Sequence, residues 1–460
     1  MMKLCILGGG GTRAIILTKS LLQKAPLLGI DEIVFMDNND NALNIFGAMA
    51  KKAASIIDPE VKVSYTTDAT YAVKDSDYVI TTIRVGGDAS RVQNERIALN
   101  HGVLGQETTG AGGFFMAMKT IPALAEYCEL IKKHAKPDVM VFNFSNPSGL
   151  VTQAMRDMGY DFVYGVCDAP SGFLHQVARL RKQPKEAMRM DVFGLNHLSY
   201  FTSVKENEKE IIAELLADPA LYTETDMRYF EPDLPKKWNL LFNEYLYYFY
   251  YREKAVENIL KGGTTRGESI LAINGKMMKE LELLDPEADF EKMLGIYAKY
   301  NHQREISYMA TESSVQRNEN AAIKFDLYSP EEGGYAGIAL AFIQAKLTGT
   351  VSEMVLSVPN DGTVDWLADD DVVEATCSIG PGGAVTKKDM KELPDSAKVL
   401  IQTMKRYERL AAKAIVEKDR DLAVEALMVH PLVNSYSLAK SLVTEYLKLN
   451  AGDFGDWRIA

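Results

Sequence analysis

Cysteine is scarce in this sequence: Cys5, Cys128, Cys167 and Cys377 are the only four among 460 residues, far apart and without a CxxC pair. That excludes a disulfide framework, because a chain of this length with 47% hydrophobic residues fills a core without covalent staples. Reduced thiols and cytoplasmic residence are expected. An excess of positive charge is missing too. Lys plus Arg number 51 against 63 Asp plus Glu, a formal net charge of −12, which disfavours nucleic acid and anionic lipid as main partners. A small-molecule ligand fits better. No long apolar run opens the chain, since "MMKLCILGGGG" has only six apolar or cysteine positions before glycines interrupt it. That is too short for a signal peptide or a membrane span. Repeats, low-complexity tracts and flexible linkers are also absent. The two or three domains expected at this length should therefore share a substantial interface.

Up to about residue 165, short β-rich runs alternate with amphipathic stretches. The runs are "LCILG", "EIVFMD", "VKVSY", "YVITTI", "VMVFNF" and "FVYGV", separated by helical patterns such as 40–56 and 114–134. This rhythm predicts an α/β fold with a Rossmann-like, doubly wound parallel sheet. From about 195 helical spacing takes over at 205–217, 236–260, 267–282, 287–310, 394–428 and 432–449, around a strand-like section near 352–379. The expectation is one domain over 1–165 and a second, mixed and mostly helical α+β domain over 166–460. Open α/β sheets bind ligands beyond the carboxyl ends of their strands, so the site is expected there.

"KLCILGGGGTRAIILTKSLL" reads as an apolar strand, a four-glycine turn and a helix, which lets the backbone approach a pyrophosphate at the helix N-terminus. Gly8 and Gly10 fit the first two positions of the dinucleotide fingerprint. Arg13 occupies the third, so a plain strand-to-helix turn stays open as an alternative. The next strand ends in Asp37, placed to accept from the adenosine ribose hydroxyls of NAD and to repel the extra phosphate of NADP. The alternative for Asp37 is an N-cap or turn carboxylate ahead of "NNDN". Gly8, Gly9, Gly10, Gly11, Thr12, Arg13 and Asp37 make up the expected cofactor set.

Three further stretches act together: "IRVGGDASRVQNERIALNHGVLGQETTGAGGF" (83–114), "NFSNPSGLVTQA" (143–154), and "VCDAP" followed thirty residues later by "FGLNHLSYF" (193–201). They resemble glycoside hydrolase family 4, the NAD- and divalent-metal-dependent glycosidases, whose fold is related to lactate and malate dehydrogenase. The resemblance continues through "NEYLYYFYY", "TTRGES", "VPNDGTVDWL" and "LMVHPLV". It implies an NAD-binding domain at 1–165 and a catalytic domain that binds metal and substrate at 166–460. Cys167 and His197 match the family's metal ligands, normally for Mn²⁺. A thiolate and an imidazole suit a transition metal and leave positions open for substrate oxygens. A small buried thiol and a hydrogen-bonded core histidine are the plainer alternatives.

The chemistry implied is not the two-carboxylate scheme of most glycosidases. It runs through oxidation at C3 of the sugar by NAD⁺, loss of the C2 proton to a base, departure of the aglycone from C1, addition of water, and return of the hydride. Alignment with the family's "YLxYY" pattern selects Tyr245 as the base, although the residues alone do not choose among Tyr245, Tyr247, Tyr248, Tyr250 and Tyr251. Asp168 matches a proposed acid in members that cleave α-linked 6-phosphoglucosides, where many β-acting members have Asn. "GQETTGAGGF" and "YLYYFYY" look more like the 6-phospho-β-glucosidase branch. A helix N-cap is the structural alternative for Asp168. Arg91, Asn146 and Arg266 match sugar and phosphate contacts, with Arg266 as the phosphate clamp. Arg84 is expected near the cofactor and Glu107 near the substrate.

The expectation is therefore a 6-phospho-β-glucosidase that uses NAD and Mn²⁺ on a phosphorylated disaccharide or aryl glucoside and assembles as a homodimer or homotetramer. A 6-phospho-α-glucosidase, an ordinary NAD-dependent hydroxyacid dehydrogenase and a non-catalytic NAD sensor are the alternatives.

Overall fold

The computed structural model describes residues 1–317, 325–329 and 335–457. The six strands anticipated in the first half are all present: β1 (Met2–Leu7), β2 (Ile30–Met36), β3 (Lys62–Thr66), β4 (Tyr78–Thr81), β5 (Met140–Asn143) and β6 (Val163–Gly165). They lie parallel in the order β3-β2-β1-β4-β5-β6, the doubly wound arrangement in which the order reverses beside β1. Near-continuous apolar runs arise because both faces are covered. Leu4 and Ile6 of β1 point into one core with helices Ala14–Leu28 and Asp40–Ile57, while Cys5 and Leu7 point into the other with helix Gly110–His134.

The sheet does not stop at Gly165. Seven more strands join it: β7 (Met188–Leu195), β8 (Leu198–Glu206), β9 (Lys209–Glu210), β10 (Leu241–Phe242), β11 (Ser352–Pro359), β12 (Val372–Gly380) and β13 (Gly383–Thr386). All pair antiparallel, and Ser357 of β11 opposite Gly165 of β6 carries the sheet across. The strand-like section near 352–379 is thus the β11–β12 pair.

Helices Arg266–Leu281, Phe290–Ile306 and Tyr436–Leu449 fall where helical spacing places them. Three segments differ. The helical pattern at 205–217 is the end of β8, then β9, with only Ile212–Ala217 helical. The 236–260 segment breaks into β10 and the short helices Tyr247–Tyr250 and Arg252–Gly262, because its many aromatic rings pack in several directions. The 394–428 segment is two helices, Asp395–Glu417 and Arg420–Val429, parted at Lys418 in the left-handed region and capped anew by Asp419. Among the described residues no helix is long and apolar enough to cross a membrane.

Candidate active site

The loops that leave β1, β4, β5 and β6 begin the site, carrying Gly8, Arg84, Asn146 and Cys167 respectively. At Gly8 the backbone turns with φ +95°, and a Cβ there would lie 2.7 Å from the Thr82 carbonyl carbon, so only glycine fits between β1 and β4. Asp37, at the end of β2, accepts from the backbone N–H of Gly10 at 2.9 Å and of Asn39 at 3.0 Å. It is not the N-cap; Asn39 caps the following helix by accepting from Ala42 N–H. A carboxylate has about four acceptor positions, so Asp37 retains capacity for ribose hydroxyls. The loop and Asp37 therefore fit a dinucleotide.

Cys167 follows β6, and His197 sits in the two-residue turn of the β7–β8 hairpin, where Leu195 pairs with Leu198. Cys167 Sγ and His197 Nε2 are 3.7 Å apart. Two ligands at ~2.3 and ~2.1 Å from one ion at a tetrahedral angle would be roughly 3.6 Å apart, so the pair fits a shared metal. Burial lowers the imidazole to about 4, leaving it neutral at physiological pH. Burial, then Glu374 and Asp168, push the Cys167 thiol well up, so a metal must displace its proton. The other three cysteines are buried in the core and their thiols are pushed up to about 12. Among the described residues no group of three or more His, Cys, Asp or Glu is arranged around a metal. If Cys167 and His197 held an ion, two protein donors would leave its remaining positions to substrate or water.

Tyr245 meets this pair directly: its ring stacks on His197 with centroids 3.7 Å apart and planes 7° from parallel. The side chain of Asn243 accepts from Tyr245 N–H at 3.0 Å and fixes the turn that carries it. Burial, reinforced by Glu244, raises its phenol far above the usual value. Asp168 stands at the start of helix Ala169–Arg181, yet its side chain makes no capping bond. Burial pulls the Arg13 guanidinium down and Asp168, the residue after Cys167, opposes the fall.

Arg84, Arg91 and Glu107 come together. Glu107 is ion-paired with Arg84 and lies 3.0 Å from Arg91 Nη1. Burial alone would push Glu107 up, but Arg84, Arg91 and Arg266 hold its carboxyl at about 2. Gly112 makes room for this loop, since a Cβ would lie 2.2 Å from the Gln106 carbonyl oxygen. Arg266 opens its helix within a Thr265–Glu268 capping box and donates to Ser307 Oγ at 2.5 Å and to the Arg304 carbonyl at 2.7 Å. A guanidinium has five N–H donors, so part of its fork stays available. Asn146 Oδ1 accepts from Ser148 N–H at 3.4 Å.

Sequence reasoning missed two residues. Arg304, in helix Phe290–Ile306, donates to Thr12 of the glycine loop and lies near Arg13 and Arg84; burial first, then Arg13, lower it to about 10. Nothing in "KYNHQREI" signals this. Glu374, in β12, is raised to about 7 by burial and partly restrained by Asn196 and Ser199. A lone acid inside the apolar run "VVEATCSI" was a readable signal.

Similarity to known proteins agrees with this geometry. The model described as "Family 4 glycosyl hydrolase" matches residues 3–183, and that of its C-terminal domain matches residues 192–433. The chain belongs to glycoside hydrolase family 4. The 6-phospho-β-glucosidase of Escherichia coli is 29% identical over 463 residues, 97% of this chain and 94% of that protein. The 6-phospho-β-glucosidase of Thermotoga maritima, solved with manganese, NAD⁺ and glucose-6-phosphate, has a TM-score of 0.80 at 25% identity, covering 98% of this chain and 99% of that one. Malate dehydrogenase of Plasmodium falciparum, 13% identical with a TM-score of 0.50 over 92% of this chain and 99% of its own, shares the dehydrogenase-like fold alone. The family 4 chain is thus a glycosidase built on a dehydrogenase-like sheet.

Proposed function

We propose that this family 4 enzyme is a 6-phospho-β-glucosidase that uses NAD⁺ and Mn²⁺. The observation that carries the reading is the grouping of Cys167, His197 and the stacked Tyr245 beside the glycine loop. When bound, NAD⁺ supplies hydride exchange, and Mn²⁺ supplies Lewis acidity together with the positive charge that favours Tyr245 as phenolate. The remaining work belongs to the chain. Gly8 to Arg13 and Arg84 hold the cofactor, and Asp37 accepts from its ribose. Cys167 and His197 hold the metal, and Tyr245 removes the C2 proton. Asp168 protonates the departing aglycone. Arg266 clamps the 6-phosphate, while Arg91, Asn146 and Glu107 orient the sugar. The functional division falls at residue 165, with the glycine loop and Asp37 in 1–165 and the metal ligands, the base and the phosphate clamp in 166–460, while Arg91, Glu107 and Asn146 reach the sugar from the first half. Reducing cytoplasm suits Cys167 as a ligand, and the working assembly is a homodimer or homotetramer.

A second reading, cleavage of the α-linkage, is favoured by one observation: Asp168 carries an acid at the metal pair without serving as a cap. Paired nitrophenyl 6-phospho-β- and α-glucosides, supplied with Mn²⁺ and substoichiometric NAD⁺, test both. The expected result is faster turnover of the β-substrate with no net NADH. Preference for the α-substrate would select the second reading. NADH accumulating one for one with product would mark a dehydrogenase instead.

A further inference from the structure

Glu374 is 1% exposed near the start of β12, directly opposite Gly194 of β7. Both its oxygens are used, and both bonds reach the turn that carries His197. Asn196 Nδ2 donates to Oε2 at 2.9 Å, and Ser199 Oγ donates to Oε1 at 2.7 Å, so the carboxylate brackets His197 from the two sides. The turn needs a clamp. His197 adopts φ +63°, a left-handed conformation that residues other than glycine seldom hold unless their surroundings over-determine it.

The bonding continues toward Tyr245. Ser199 Oγ accepts from Asn243 Nδ2 at 3.3 Å, and the Ser199 carbonyl accepts from Asn243 N–H at 3.1 Å. Asn243 Oδ1 in turn accepts from Tyr245 N–H at 3.0 Å. A single side chain on a rigid central strand thereby ties together two turns that sequence places far apart, and their rings end stacked face to face.

We propose that Glu374 is the positioning residue of this site, setting His197 and Tyr245 in one register through the Asn196, Ser199 and Asn243 bonds. It touches neither substrate nor metal. The inference rests on the assignment of His197 as a metal ligand and Tyr245 as base.

The test compares Glu374→Ala, Glu374→Gln and His197→Ala in the full-length chain, reading Mn²⁺ affinity by electron paramagnetic resonance alongside kcat, KM and circular dichroism. An amide oxygen still accepts from Asn196 and its NH₂ still donates to Ser199, so the Gln variant should bind Mn²⁺ close to the wild-type affinity. The Ala variant should lose about 10- to 100-fold, the range for losing a group that orients a ligand. Its kcat should fall at saturating Mn²⁺ with KM for the 6-phosphoglucoside little changed, because Tyr245 is displaced as well. Normal Mn²⁺ binding by His197→Ala would refute the metal assignment itself. Loss in His197→Ala with retention of affinity and kcat in Glu374→Ala would overturn the positioning role. So would equal losses in the Gln and Ala variants, which would mark the charge as what matters. If Glu374→Ala does not fold, Asn196→Ala removes one bond to Glu374 and Ser199→Ala removes the other together with the Asn243 bond; unaltered Mn²⁺ affinity and kcat in both would overturn the inference equally.

Discussion

A neutral imidazole and a protonated thiol give the metal pair a definite proton balance. Burial lowers His197 to about 4, so it would give up no proton near neutrality on binding an ion, whereas the Cys167 thiol, raised by burial, Glu374 and Asp168, would lose its own. Mn²⁺ binding should release about one proton per ion, and affinity should rise about tenfold for each pH unit between 6 and 8, since higher pH favours the deprotonated side. Calorimetry in buffers of different ionisation enthalpy reads the proton count; Cys167→Ser should remove the pH slope. Tyr245→Phe keeps the ring that stacks on His197 and removes only the phenol oxygen. Turnover should fall about 10²- to 10⁴-fold with NAD⁺ affinity and melting temperature preserved. Product from D₂O should carry deuterium at C2 in the wild type, and its absence would exclude C2 proton removal.

Helix Phe290–Ile306 shows how an element far along the chain completes a site begun by the first strand. It brings Arg304 onto Thr12 of the glycine loop, and Asn274 of the neighbouring helix donates at 2.6 Å to Asp88 in helix Gly87–Asn100. Arg304→Ala should weaken NAD⁺ binding about 10- to 100-fold, as for a lost charge-assisted hydrogen bond, while leaving Mn²⁺ affinity unchanged. Fluorescence titration with NAD⁺ measures the first effect. Wild-type affinity in the variant would confine Arg304 to bracing the loop. Local pattern placed this helix correctly, because its apolar face repeats at helical spacing. It failed at 205–217, where a short edge hairpin and one turn and a half of helix are each too brief to impose a period.

One sheet runs through the whole molecule, and that continuity governs its stability. β6 is at once the last parallel strand and the neighbour of β11, and buried residues from both halves share one core cluster. Unfolding should therefore be a single transition. Trp238, Trp366 and Trp457 all lie beyond residue 165, so their fluorescence reports on the second half, whereas far-UV circular dichroism reports on both. The two curves should coincide, and NAD⁺ should shift them upward together. A separate early transition by either probe would show that the halves unfold independently.

Short-range pattern determined the six parallel strands, the glycine turn and Asp37, because alternating apolar runs and tight turns are local demands on the backbone. Motif resemblance named Cys167, His197 and Tyr245, and with them Asp168, Arg84, Arg91, Glu107, Asn146 and Arg266. Neither reached Glu374 or Arg304, since no spacing in the chain encodes which turn is laid against which. Only the antiparallel β7, β8 and β12 bring Glu374 under the His197 turn, and only the packing of Phe290–Ile306 sets Arg304 against Thr12. Those contacts depend on the order of strands and on buried polar groups seeking partners from remote segments, which the folded chain alone decides.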